Sequence, residues 1–228
     1  TTEGAIQMTR VIGSSLARIA EAIVGLNDGR GRTSLPTEGD LFAVAAGFGL
    51  ALCAAAGWEL VLVGSAAILA GWFYTGGPRP YGYAGLGEVF VFVFFGLVAT
   101  VGSTYVQIEQ VTARSALAGV VIGLWATALL VVNNLRDRAG DEASGKRTLA
   151  VRMGDGKTRV LFIACLTVSI FVGIPVTPLI IIAIPFVRRP TKTVSSGATG
   201  RDLVAVLMKT STLQMVGGAA LTVGLLVR

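Results

Sequence analysis

Residues Asn133-Asn134-Leu135-Arg136-Asp137-Arg138-Ala139-Gly140-Asp141-Glu142-Ala143-Ser144-Gly145-Lys146-Arg147 set amides, acids and bases directly behind an apolar run, Ala113 to Val132. Ionisable groups at a membrane edge are costly to position and are usually there for function. A helix that continues past Asn134 puts Asp137 and Asp141, four residues apart, on one face, with Asn133 and Asn134 along the same side. Magnesium takes oxygen ligands, often one or two carboxylates completed by substrate phosphates and water. Asp137 and Asp141 are therefore candidate magnesium ligands. Lys146, Arg147 and Arg152 are candidates to neutralise the remaining charge of a diphosphate. Two aspartates at this spacing equally suit a solvated loop. The preceding Asn pair, the following Gly-Lys-Arg and the membrane setting favour the metal–diphosphate reading.

Two further polar stretches accompany this one. Phe73 to Glu88 is rich in glycine and proline, which enforce turns. Its Tyr74, Tyr81 and Tyr83 are candidates to line an aromatic-substrate site, with Arg79 as an anion contact; an interfacial aromatic belt is the competing reading. Arg188 to Thr210 reads as a polar linker ending in Arg201–Lys209, a short amphipathic helix on the membrane surface.

The elements that position these stretches follow from composition. The chain is 53% hydrophobic and 14% charged, with mean hydropathy +0.73; ordinary soluble domains carry about a quarter charged residues. Thirty glycines fit helices packed closely in lipid. There is no histidine, so histidine-based catalysis and histidine-ligated zinc or iron are excluded within this chain. Cys53 and Cys165 lie in apolar runs and read as small core residues.

A spanning helix needs about 20 mostly apolar residues. Seven candidates stand out: Leu41–Trp58, Trp58–Tyr74, Glu88–Val106, Ala113–Val132, Val160–Ile174, Thr177–Val187 and Ser211–Val227. The fifth and sixth meet at Pro175-Val176-Thr177-Pro178, a tight turn. The expected fold is an all-α polytopic transmembrane helical bundle (41–228) behind a polar segment (1–40) too polar for a signal peptide. With that segment inside, 17 of the 19 Lys and Arg fall on the inner side, as cytoplasmic loops require. Only Arg114 and Arg228 lie outside. The expected location is a prokaryotic plasma membrane with the active loops on the cytoplasmic face. Orientation explains the net charge of +6 better than a nucleic-acid partner does. Trp58, Trp72 and Trp125 read as interface or packing residues rather than a binding cage.

Asn133 to Gly154, NNLRDRAGDEASGKRTLAVRMG, resembles the second aspartate-rich motif of the UbiA-type intramembrane prenyltransferases. Phe73 to Gly96, FYTGGPRPYGYAGLGEVFVFVFFG, resembles the 1,4-dihydroxy-2-naphthoate polyprenyltransferases of menaquinone biosynthesis. The resemblance runs from about Arg10 to the C-terminus. It implies electrophilic prenylation of 1,4-dihydroxy-2-naphthoate by a polyprenyl diphosphate, with decarboxylation to demethylmenaquinone. By resemblance, Mg2+ held by Asp137, Asp141 and a second aspartate-rich site binds the diphosphate, and Lys146 and Arg147 contact phosphate. Asn133, Asn134 and Arg136 join them as substrate-binding residues, Tyr74, Arg79, Tyr81 and Tyr83 flank the aromatic substrate, and the isoprenoid tail lies among membrane lipid.

The resemblance also implies nine spans and a first motif like NDxxDxxxGxD. Seven spans and no such motif are found here. Asn27-Asp28-Gly29 resembles it superficially but precedes the wrong span and lacks the second aspartate, so no role is transferred. The expectation is an N-terminally incomplete version of the enzyme, with half of a two-motif site. Residues 17–40 fit the pattern poorly. Two other classes stay open: a transporter or quinone-binding protein without catalysis, and a CDP-alcohol phosphotransferase, whose motif carries more aspartates. Prenyl chain length and oligomeric state are not readable from the sequence.

Overall fold

A computed structural model describes residues 38–76 and 80–226; the polar segment up to 37, Asn27-Asp28-Gly29 within it, and Arg79 lie outside the described residues. Among these residues there are seven α-helices and no strand. We number them α1 (Glu38–Ala56), α2 (Glu59–Thr75), α3 (Gly87–Ile108), α4 (Ala113–Ala143), α5 (Leu149–Gly173), α6 (Ile184–Ser195) and α7 (Arg201–Leu226). The chain divides into two compact units, Thr1–Gly64 and Ser65–Arg228, with the boundary inside α2. In the first, α1 turns into α2 at Gly57, whose N–H donates to the Cys53 carbonyl at 3.0 Å.

The second unit is organised around α4. This helix starts on a capping box: the Ser115 N–H donates to Thr112 Oγ1 at 3.0 Å and the Thr112 N–H to Ser115 Oγ at 3.1 Å, which satisfies donors otherwise orphaned in the first turn. Its buried residues Val121, Trp125, Ala128, Val131, Val132 and Leu135 recur at helical spacing. They pack with Phe162, Leu166 and Ile170 of α5 and Leu203, Val206 and Leu213 of α7. Trp125 is fully buried and donates its indole N–H to Ser169 Oγ at 2.7 Å, so it is a packing residue, as expected. Trp58 and Trp72 are exposed. Both cysteines are buried and free.

Glycines set how closely the helices approach. Gly217 of α7 lies against the Trp125 ring, where a Cβ would overlap it. Gly96 of α3 lies against Gly119 and Gly123 of α4. The α3 backbone there, Phe92–Val98, is wound as a π-helical stretch, a local widening frequent at functional sites.

Four of these helices are long and apolar enough to cross a membrane: Gly87–Ile108, Ala113–Ala143, Leu149–Gly173 and Arg201–Leu225. Two shorter apolar helices, Ala45–Ala56 and Glu59–Tyr74, precede them. The molecule is a polytopic membrane helical bundle, but the boundaries differ from expectation in three places. First, the expected span Thr177–Val187 is a 3-10 turn, Pro178–Ala183, leading into α6. Pro178 and Pro185 start the 3-10 turn and α6 as separate pieces, Pro190 lies inside α6, and Arg188, Arg189 and Lys192 charge that helix, so no uniform apolar span forms here. Second, Arg201–Lys209 is not a separate surface helix; it forms the first turns of α7, anchored by buried Leu203 and Val206. Third, the inner loop read as Asn133–Arg159 is almost all helix. α4 continues to Ala143, α5 begins at Leu149, and only 144–148 connects them. The change of direction comes inside α5, at Gly154 (φ 77°, ψ 172°), a left-handed backbone that glycine adopts without steric cost. The Pro175 turn forms as expected, with the Val176 and Thr177 N–H groups both donating to the Gly173 carbonyl at 3.0 Å.

Candidate functional site

Because α4 continues through Ala143, Asn133, Asn134, Asp137 and Asp141 line one stripe of its surface. They face an open pocket of about 140 Å³ whose other walls are Tyr74 at the end of α2, Gly82 and Tyr83 of the 3-10 turn Tyr81–Ala84, and Lys146 and Thr148 of the 144–148 connection. The structure therefore brings together two stretches that the sequence offered separately. They are joined directly: the Arg147 N–H donates to the Tyr83 carbonyl at 2.9 Å. Lys146 Nζ lies 4.9 Å from the centre of the Tyr83 ring, a cation–π distance, and 3.4 Å from Asp141 Oδ1.

The two aspartates are not equivalent. Asp137 is held by both its oxygens, accepting from Arg136 Nε at 2.7 Å and Arg136 Nη2 at 2.6 Å. The same Nη2 reaches Asn133 Oδ1 at 3.0 Å. The Asp137 side chain is 42% exposed, the Asp141 side chain 13%. Arg136 thus orders the acid face of the pocket from its edge and is not among the lining residues. Arg147 is likewise exposed beside the pocket, joined through its backbone.

Of the tyrosines, Tyr74 and Tyr83 line the pocket and Tyr81 does not. Tyr81 donates its hydroxyl to the Ala70 carbonyl at 2.6 Å and stacks on Phe90 at 3.9 Å, with Tyr74 edge-on at 5.5 Å. Burial, and then the neighbouring Tyr74, push its hydroxyl above the ordinary tyrosine range, so it keeps the proton it donates. Its part is to fix the 3-10 turn that presents Tyr83.

Two residues escaped the sequence reading. Glu88, taken there as the end of a span, is buried, and its Oε1 accepts from Asn134 Nδ2 at 2.9 Å. That bond uses the amide's donor end and leaves the Asn134 carbonyl oxygen for the pocket. Thr148 is also buried, and its Oγ1 has no hydrogen-bond partner. A buried hydroxyl without a partner costs about 1–3 kcal/mol, and this one stands at the pocket wall.

No group of three or more His, Cys, Asp or Glu side chains gathers among the described residues. The donors that do gather are oxygens, two carboxylates and two amide carbonyls. Such a set suits a hard divalent cation that keeps water and substrate oxygens as its other ligands. The unpartnered Thr148 hydroxyl points to the same kind of polar occupant.

An acid- and amide-lined pocket at one end of an apolar helical bundle defines an integral membrane protein with a site for a polar, charged ligand. The UbiA prenyltransferase family matches residues 30–188; the chain belongs to this family and is a prenyltransferase. It is 40% identical over 221 residues to the 1,4-dihydroxy-2-naphthoate octaprenyltransferase of Mycobacterium leprae, covering 92% of this chain and 70% of that enzyme. Against the enzyme of the same name from Mycobacterium tuberculosis the identity is 38% over 226 residues, 96% of this chain and 73% of the relative. Against that of Bacillus subtilis it is 28% over 195 residues, 82% and 63%. No solved structure matches.

Proposed function

We propose that the chain transfers a polyprenyl group from a polyprenyl diphosphate to 1,4-dihydroxy-2-naphthoate, with loss of the carboxylate as carbon dioxide, to give demethylmenaquinol, the reduced (quinol) form of demethylmenaquinone. Identity of 40% and 38% across nearly the whole chain to two naphthoate octaprenyltransferases carries this reading. The oxygen-rich pocket beside two tyrosines supports it.

The bonds balance without an external oxidant or reductant. The allylic C–O bond breaks with its electron pair leaving on the diphosphate. The ring carbon bearing the carboxylate forms the new C–C bond, and carbon dioxide departs as its bonding pair restores aromaticity. Asp137 and Asp141, with the amide oxygens of Asn133 and Asn134, would hold Mg2+, which when bound supplies positive charge to the departing diphosphate. Lys146 adds a point charge at the same wall, and the Thr148 hydroxyl a neutral contact. Tyr74 and Tyr83 offer faces against which an aromatic substrate can lie. The reaction takes place at the cytoplasmic face of a prokaryotic cell membrane, the side that the segregation of basic residues assigns to this pocket.

Purified protein given carboxylate-labelled naphthoate, a polyprenyl diphosphate and Mg2+ is expected to release labelled carbon dioxide and prenylated product in equal amounts. Chelating the metal should stop both. Carbon dioxide without a prenylated product contradicts the mechanism.

A further inference from the structure

A second pocket of about 140 Å³ lies between α6 and α7, lined by Phe186, Arg189, Lys209 and Thr212. It shares no residue with the first. Each helix contributes an i,i+3 pair. The helices are joined by 196–200 and run antiparallel, so Arg189 and Lys209 stand at the same end, with Phe186 and Thr212 about 4.5 Å deeper along the axes. That cationic end lies toward the basic side of the bundle: Arg159 of α5 donates to the carbonyls of Val194 and Ala198 at 2.9 Å.

Neither Arg189 nor Lys209 takes part in an ion pair among the described residues. Two neighbouring cations repel, and at a membrane boundary they are kept for a counter-charge. The flanking surface is apolar and exposed: Ile181 and Ile182 ahead of α6, Met208 and Met215 on α7. In a membrane protein such a face meets acyl chains.

We propose that this pocket holds the phosphate of an anionic phospholipid, with Arg189 and Lys209 on the phosphate oxygens and the acyl chain running past Phe186 toward Met215. The charge pattern selects the occupant: a phosphodiester fits the paired cations, and its attached apolar chain fits the surface continuous with them. Basic pockets between membrane helices on the cytoplasmic side bind such headgroups. The site is independent of the transfer reaction.

The test is native mass spectrometry of the full chain released from nanodiscs of equal phosphatidylglycerol and phosphatidylcholine. Wild type is expected to retain the anionic lipid roughly tenfold over the zwitterionic one, a preference of about 1.4 kcal/mol. R189Q/K209Q should lose the preference, while K192Q/R201Q, which removes two charges outside the pocket, should keep it. Thermal melts of each variant establish that it is folded; should R189Q/K209Q melt early, the single variants R189Q and K209Q are each expected to weaken the preference. Equal retention of the two lipids by wild type overturns the proposal, as does undiminished preference in folded R189Q/K209Q. Displacement of the lipid by millimolar inorganic pyrophosphate also overturns it, since the pocket would then bind free phosphates.

Discussion

Asp137 is the acid through which the candidate site is most exposed to a ligand, and Arg136 occupies both its oxygens. Ligand binding therefore exchanges one ion pair for another contact, and removing the carboxylate removes that exchange. Asp137→Asn is expected to lower kcat/KM for prenyl transfer by about 100-fold or more, with the melting temperature little changed because the side chain is not buried. The Glu88–Asn134 pair makes a sharper case. Asn134→Asp faces a carboxylate with the buried Glu88 carboxylate and should lose activity; adding Glu88→Gln restores a donor–acceptor pair and should recover at least tenfold, a coupling of about 1.4 kcal/mol. Independent effects of the two substitutions would show that Glu88 does not orient Asn134. The aspartates, the amides and Lys146 were legible as a group because one helix and its exit carry them at helical spacing. Glu88 and Thr148 were not, because their meaning lies in a partner, or a missing one, that no local periodicity encodes.

At the scale of elements, α4 sets the site by not stopping where its apolar run ends. The spacing of Asn133, Asn134, Asp137 and Asp141 announced that continuation, whereas Gly154 hid the true turn, since one left-handed residue inside a helical pattern leaves no trace in hydropathy. α6 was misread for another reason. Arg188, Arg189 and Lys192 look like a linker, yet Val187, Pro190 and Val194, before, among and after them, are buried; one face of the helix is in the core while the other carries the charge. Close packing of α7 on α4 depends on Gly217 beneath the Trp125 ring. Gly217→Leu is expected to destabilise the bundle by about 1–3 kcal/mol, seen as a lower midpoint in a detergent melt. A midpoint equal to that of wild type would mean that the ring has room to move.

For the whole molecule, the proposed orientation rests on the segregation of basic residues expected from the sequence, 17 of 19 on the pocket's side. Ser144, in the α4–α5 connection, and Gln110, before α4, are both exposed and lie at opposite ends of α4. With Cys53 and Cys165 buried, an impermeant maleimide added to intact cells should label Gln110→Cys and spare Ser144→Cys; the reverse pattern would invert the proposed orientation. The bond from the Arg147 N–H to the Tyr83 carbonyl has a further consequence, for synthesis. Its partners are separated in the chain by both α3 and α4, and a contact that closes so long a loop forms late. During insertion, the tyrosine wall and the acidic stripe enter the membrane as strangers. The pocket exists only once the chain has been made past Thr148, so the tyrosine wall, complete at Tyr83, waits through the making of α3 and α4 for the acids that face it.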